Sequence, residues 1–203
     1  MPTRRVYGWL PGRRSGVSES ITWVREHQSY MTDENRIDEL VADLQEGSMA
    51  VRRAATDELG ASGEAAIEPL ITVMLESDND VRWYAARALV QIGEPAVEPL
   101  LEAMHAVEDR DFRRYAMAAL AGIGEPAVEP LIGVIEEGNP DLRPFASMAL
   151  CRIGEAAVDP LLRLLRHPDP EMQECAAILL WKMGEPGATA LTAALETGWA
   201  GKQ

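Results

Sequence analysis

The side chains that could perform chemistry in this chain are few and scattered. The three histidines are His27, His105 and His167, and none precedes a glutamate. No HExxH pair, zinc-ligand spacing or phosphate-cradling glycine loop is present. No serine or cysteine lies in a recognisable nucleophile motif. The 33 acidic residues recur mostly at equivalent positions, so no catalytic carboxylate pair can be singled out. The two cysteines, Cys151 and Cys175, are too few for a disulfide scaffold. They stand at different heights of successive repeats, offset by about 9 Å of helix rise, which disfavours a disulfide. Free thiols, no metal and no cofactor are expected. The remaining groups with recognition chemistry are arginines and aromatics, and their meaning depends on the elements that carry them.

Those elements repeat. SGEAAIEPLI at Ser62 returns as IGEPAVEPLL at Ile92, IGEPAVEPLI at Ile123, IGEAAVDPLL at Ile153 and, degenerately, MGEPGATALT at Met183. The marker glycines Gly63, Gly93, Gly124, Gly154 and Gly184 are spaced 30, 31, 30 and 30 residues apart. Such a period corresponds to one helix-turn-helix unit. Ser48, Asp78, Asp109, Asn139 and Asp169 each stand 15 residues before a marker glycine. All five are residue types that cap helix N-termini. Pro140 and Pro170 follow their caps directly. Each second helix therefore runs about 14 residues from cap to glycine, where a left-handed residue ends it. The first helices open on Glu-Pro-Ala-Val or Glu-Ala-Ala-Val, with Pro95, Pro126 and Pro186 in the opening turn. Pro69, Pro99, Pro130 and Pro160 form a second proline column close behind.

One stripe of the second helices is apolar in every copy. It comprises Val51, Val81, Phe112, Leu142 and Met172, then the invariant alanines from Ala55 to Ala176, then the invariant leucines from Leu59 to Leu180. Ile92, Ile123, Ile153 and Met183 complete this i, i+4, i+8, i+11 face, which is expected to be core. Beside it stand Arg52, Arg82, Arg113 and Arg143, with Gln173 in the fifth copy. They are expected to form a structural ladder with Asp80, Asp111 and Asp141, with an anion-binding column as the alternative. The remaining positions differ between copies. They place Arg53, Trp83, Tyr84, Arg87, Arg114, Tyr115, Phe145 and Met148 on the second helices. Stacked second helices line the concave side of a solenoid. Aromatics, Arg and Met are interface-type residues, so these eight form the candidate partner-binding face. Tyr84, Tyr115 and Phe145 can alternatively flank the core, whereas Trp83 is expected to project outward.

The formal net charge is -14. Residues 1–30 run against it, with Arg4, Arg5, Arg13, Arg14 and Arg25 facing only Glu19 and Glu26. So acidic a remainder repels nucleic-acid phosphate and anionic lipid. It serves either solubility or the docking of a basic partner. No run of 18 apolar residues exists to span a membrane. Residues 1–30 lack an export signal's apolar stretch and do not share the repeat. They are read as a flexible or spurious extension, with a weak helix over Ile21–His27 and a first-helix cap at Thr32 or Asp33.

The phrases VRWYAARALVQIGEPAVEPLL (Val81–Leu101) and FRRYAMAALAGIGEPAVEPLI (Phe112–Ile132) resemble the HEAT-like repeats named after phycobilisome lyases. The resemblance covers roughly Asn35 to Leu195. It implies an all-α fold, a right-handed α-α superhelix of about five helix pairs plus a C-terminal capping helix. The repeats would lie near 34–63, 64–93, 94–124, 125–154 and 155–184, with the cap at 185–199, inside a domain of 31–199. Proteins of this group act as interaction scaffolds, bilin-lyase subunits or modules of larger enzymes. Deoxyhypusine hydroxylase, a related enzyme, holds iron through paired His-Glu motifs that this chain lacks. HEAT-like DNA glycosylases would need a basic groove, which the acidic composition opposes. The expectation is a cytoplasmic, non-catalytic scaffold, monomeric, binding a protein or peptide and neither nucleic acid nor membrane. The alternatives are an enzyme subunit and a structural array that self-associates through its ends, where Trp199 is a candidate contact.

Overall fold

The computed structural model describes residues 35–196. The N-terminal segment 1–30, the expected helix at Ile21–His27, the caps at Thr32 or Asp33, and Trp199 lie outside the described residues. Residues from Ile37 onward form one compact unit. Its elements are helices and short 3₁₀ turns in regular succession. Residues 35–46 are helical (α1). They are followed by α2 (Met49–Ala61), α3 (Ile67–Glu76), α4 (Asn79–Ile92), α5 (Val97–Ala106) and α6 (Arg110–Ile123). Then come α7 (Val128–Glu136), α8 (Arg143–Ile153), α9 (Val158–Leu164), α10 (Pro170–Lys182) and α11 (Gly187–Glu196). The described residues form an α-helical solenoid of five helix pairs followed by a single helix. None of the described helices is long and apolar enough to cross a membrane.

Local chemistry explains the boundaries. Asp78 caps α4 by accepting from the Asp80 and Val81 N–H groups at 3.1 and 3.0 Å. Asp109 caps α6 through Asp111 and Phe112 at 2.8 and 3.1 Å. Asp169 accepts from Glu171 at 2.9 Å. Asn139 also accepts, from Asp141 at 3.0 Å, but here the regular helix starts only at Arg143. Pro144 has no N–H for the Pro140 carbonyl, so the ladder is interrupted there although Arg143 still donates to the Asn139 carbonyl at 3.0 Å. The same reasoning corrects the start of the first helices. Glu94–Ala96 and Glu125–Ala127 form 3₁₀ turns, and α5 and α7 begin at Val97 and Val128. Pro99 and Pro130 cannot donate to the carbonyls of Pro95 and Pro126, so the α-ladder begins after them.

The marker glycines hold positive φ, as at Gly93 (φ 83, ψ -138) and Gly124 (φ 87, ψ -131). These ψ values lie outside the left-handed helical well expected from the sequence. They fall in territory that is essentially reserved for glycine. The extended turn sends the chain straight into the next 3₁₀ segment.

The core is one continuous layer between first and second helices. The invariant alanines and leucines of the second helices are buried, against Leu70, Leu100, Leu131 and Leu161 of the first helices. Val51 departs from the stripe and is 38% exposed. It is the first of its column, with no second helix before α2 among the described residues. Ile92, Ile123, Ile153 and Met183 are only half-buried.

Second helices pack flank to flank, α2 on α4, α4 on α6 and α6 on α8, far more extensively than α3 on α5 or α7 on α9. Glycines permit this approach. A Cβ on Gly60 would stand 2.2 Å from Gln91 Oε1, and one on Gly122 2.7 Å from Val90 Cγ2. An array with one layer spaced more tightly curves toward that layer. The second helices therefore line the concave side.

Two glycines separate turn strain from helix propensity. Gly124→Ala should destabilise by about 1–3 kcal/mol because alanine resists that backbone conformation. Gly133→Ala, in open space within α7, should stabilise by about 0.5–1 kcal/mol. Urea denaturation of both variants checks the opposite signs.

Candidate functional site

The concave face is held in place by the polar column beside the core. Arg52 donates to the Gln45 carbonyl at 2.8 Å. Arg82 Nε donates to the Ser77 carbonyl at 3.0 Å and Arg113 Nε to that of Met104 at 3.1 Å. In the fifth repeat Gln173 reaches the His167 carbonyl at 2.7 Å. Each side chain thus satisfies carbonyls left unpaired at the end of its own repeat's first helix. Arg82 and Arg113 are buried in doing so.

Arg82 also reaches the next repeat, meeting Asp109 at 2.8 Å, and Arg143, the fourth arginine of the column, pairs there with Glu171. The acids engaged are therefore not the expected Asp80, Asp111 and Asp141. Asp111 instead pairs with Arg114 of its own helix, at 3.2 Å. Asp109 is the cap of its helix, whereas Glu171 stands two places beyond the cap Asp169, so the arginine column meets either of two positions at the start of the next second helix. The Arg82 hydrogen bond, reinforced by the Phe112 N–H, holds the Asp109 carboxyl below its ordinary pKa. The hydrogen bond to Glu171 likewise raises the Arg143 pKa.

On this frame the eight candidate residues divide. Trp83 is 49% exposed and stands edge-to-face with Tyr84, ring centroids 4.9 Å apart. The Arg87 guanidinium lies 5.8 Å from the Trp83 ring. Both arrangements hold the indole without burying it. Arg114 sits 5.2 Å from the Tyr115 ring. Tyr84, Tyr115 and Phe145 are half-buried and pack against the core with part of each ring showing. Arg53 is exposed on α2. Met148, on α8, is exposed to the same extent as Trp83.

Between α8 and α10 the tight packing gives way. The register that pairs Gly60 with Gln91 and Val90 with Gly122 here pairs Cys151 with Lys182, and neither is small. These two helices touch much less than the earlier pairs. A groove of about 800 Å³ opens between them, with Met148, Cys151, Cys175 and Ile178 among its walls. Both cysteines are free, and burial raises both thiol pKa values. The sequence pattern marked Met148 as variable, but not Arg152 and Lys182 at the groove's end. Their signal was the column two residues before the marker glycine, which runs Gln91, Gly122, Arg152, Lys182.

Among the described residues no three His, Cys, Asp or Glu side chains converge as metal ligands. His105 pairs with Glu137 at 3.2 Å, and His167 Nδ1 accepts from the Asp169 N–H at 3.1 Å. His27 lies outside the described residues.

The model of HEAT repeats matches residues 37–121 and 128–201. That of the PBS lyase HEAT-like repeat matches residues 112–137. No curated protein gives a significant match. Among solved structures, an engineered protein is 23% identical over 80% of this chain and 85% of its own, with a TM-score of 0.32. A designed armadillo repeat protein in complex with the peptide (KR)4 is 17% identical over 79% of this chain and 88% of its own, with a TM-score of 0.31.

The clamp has a pH signature. A carboxyl with a lowered folded-state pKa adds stability above its unfolded value near 3.9 and loses it as pH falls through the folded value. Asp109→Asn keeps a good cap but removes the charge opposite Arg82. It should cost about 1 kcal/mol at pH 7. Urea titrations should show the gap to the parent closing toward pH 3. A constant gap would show that the charge contributes nothing.

Proposed function

We propose a binding role for this chain, which belongs to the HEAT-repeat family: a non-catalytic scaffold that holds a protein or peptide partner on its concave face. The observation that carries this reading is the exposed Trp83, held by Tyr84 and Arg87 on a frame otherwise repeated from copy to copy. Leaving an indole half in solvent forgoes the stabilisation of burying it, about 25 cal/mol per Å² of apolar surface. An aromatic beside arginines is the composition of interface anchors. Arg53, Arg114 and Met148 extend the patch along the second helices. The net charge of -14 argues against phosphate-rich partners. We place the protein in the cytoplasm, as a monomer, as part of the same reading.

The test is capture of a partner by the tagged chain, followed by quantitative binding of the partner recovered. Trp83→Ala with Arg114→Ala should weaken binding by about 2 kcal/mol or more, roughly thirtyfold in Kd. Both side chains are exposed, so helicity and melting temperature should hold. Undiminished binding would remove this face as the site.

A further inference from the structure

The groove between α8 and α10 has a chemical polarity along its length. Its floor is apolar and uncharged. Met148 is 49% exposed and Ile178 46% exposed, and between them lie the thiols of Cys151 and Cys175, which burial keeps protonated. Its size falls within the range of ligand-binding clefts, roughly 300–1,000 Å³.

Its two ends carry opposite charge. At the C-terminal ends of the two helices stand Arg152 and Lys182. Both are exposed, and neither forms an ion pair or a side-chain hydrogen bond among the described residues. Two unneutralised cations thus line one groove on a chain of net charge -14. At the other end Glu171 is engaged by Arg143, while Glu174 has no partner among the described residues. Eight residues of α10 separate Glu174 from Lys182, which is about 12 Å along a helix. That distance corresponds to roughly four residues of extended peptide.

We propose that this groove docks a peptide segment with an apolar centre, an acidic residue at one end and a basic residue at the other. The apolar side chains cover Met148 and Ile178. The acidic end meets Arg152 and Lys182, and the basic end meets Glu174. Charge order then sets direction and register, while apolar burial supplies affinity. The site rests on the scaffold reading and specifies the chemistry of one segment it accepts.

The experiment uses the full chain and end-blocked synthetic peptides that share one Leu/Phe centre. One set carries Lys at one end and two Glu at the other, a second carries Lys at both ends, and a third Glu at both. Calorimetry should rank the mixed-charge peptide first. Arg152→Glu with Lys182→Glu should weaken it at least about fivefold and raise the double-Lys peptide to first place. Ile178→Asp should abolish binding of all three. These side chains are exposed, so circular dichroism should be unchanged. Equal affinity for the three peptides, or a ranking that survives charge reversal, would overturn the proposal. So would binding of a long-chain fatty acid with none of any peptide. Partner capture that still depends on Trp83 while every peptide fails would sink the groove alone. Loss of both would sink the scaffold reading with it.

Discussion

The concave surface exists because carbonyls at the ends of the first helices are paired by side chains from the second. A helix leaves its last carbonyls unsatisfied, and burying them between repeats is costly without donors. Arg52, Arg82 and Arg113 supply these donors, and Gln173 does the same in the fifth repeat without a charge. The bond fixes how the two helices of a pair sit on each other. Arg82 also reaches Asp109 of the next repeat, and Arg143 reaches Glu171, which ties one pair to the following one. Burying a charge is tolerated at Arg82 because every direction of its fork finds an oxygen. A lysine, with one point of charge and no fork, could not serve both roles.

With the frame fixed in this way, small residues decide its curvature. Gly60 and Gly122 let the second helices close on one another, and the surface above them is tightly packed. The α8–α10 junction has no such residue and splays. The candidate face therefore has two regions with different physics. The Trp83 patch projects side chains from a closed surface, and the α8–α10 groove offers apolar walls with charged ends. Repetition makes both possible, because a local departure does not disturb neighbours that each depend only on adjacent repeats.

The sequence alone determined the architecture. The marker glycines, the caps Asp78, Asp109 and Asp169, and the leucine column are all local signals, and one repeat calibrates the next. Trp83 was legible as an outward residue for the same reason, since its position varies while its flanks do not. Tertiary structure decided what depends on distances between repeats. The cap Asp109 meets Arg82, and Glu171, two places past its own cap, meets Arg143, because the stacking offset between repeats sets which acid lies within reach, and no periodicity within one helix encodes that offset. The delayed start of α8 turned on Pro144, since Pro170, placed like Pro140 directly after a cap, opens α10 without delay. The groove depends on Cys151 standing opposite Lys182 where two helices meet, and these residues, unremarkable in their own repeats, acquire meaning only across the junction. Local preference can be read residue by residue, but a surface made between repeats depends on the packing that joins them.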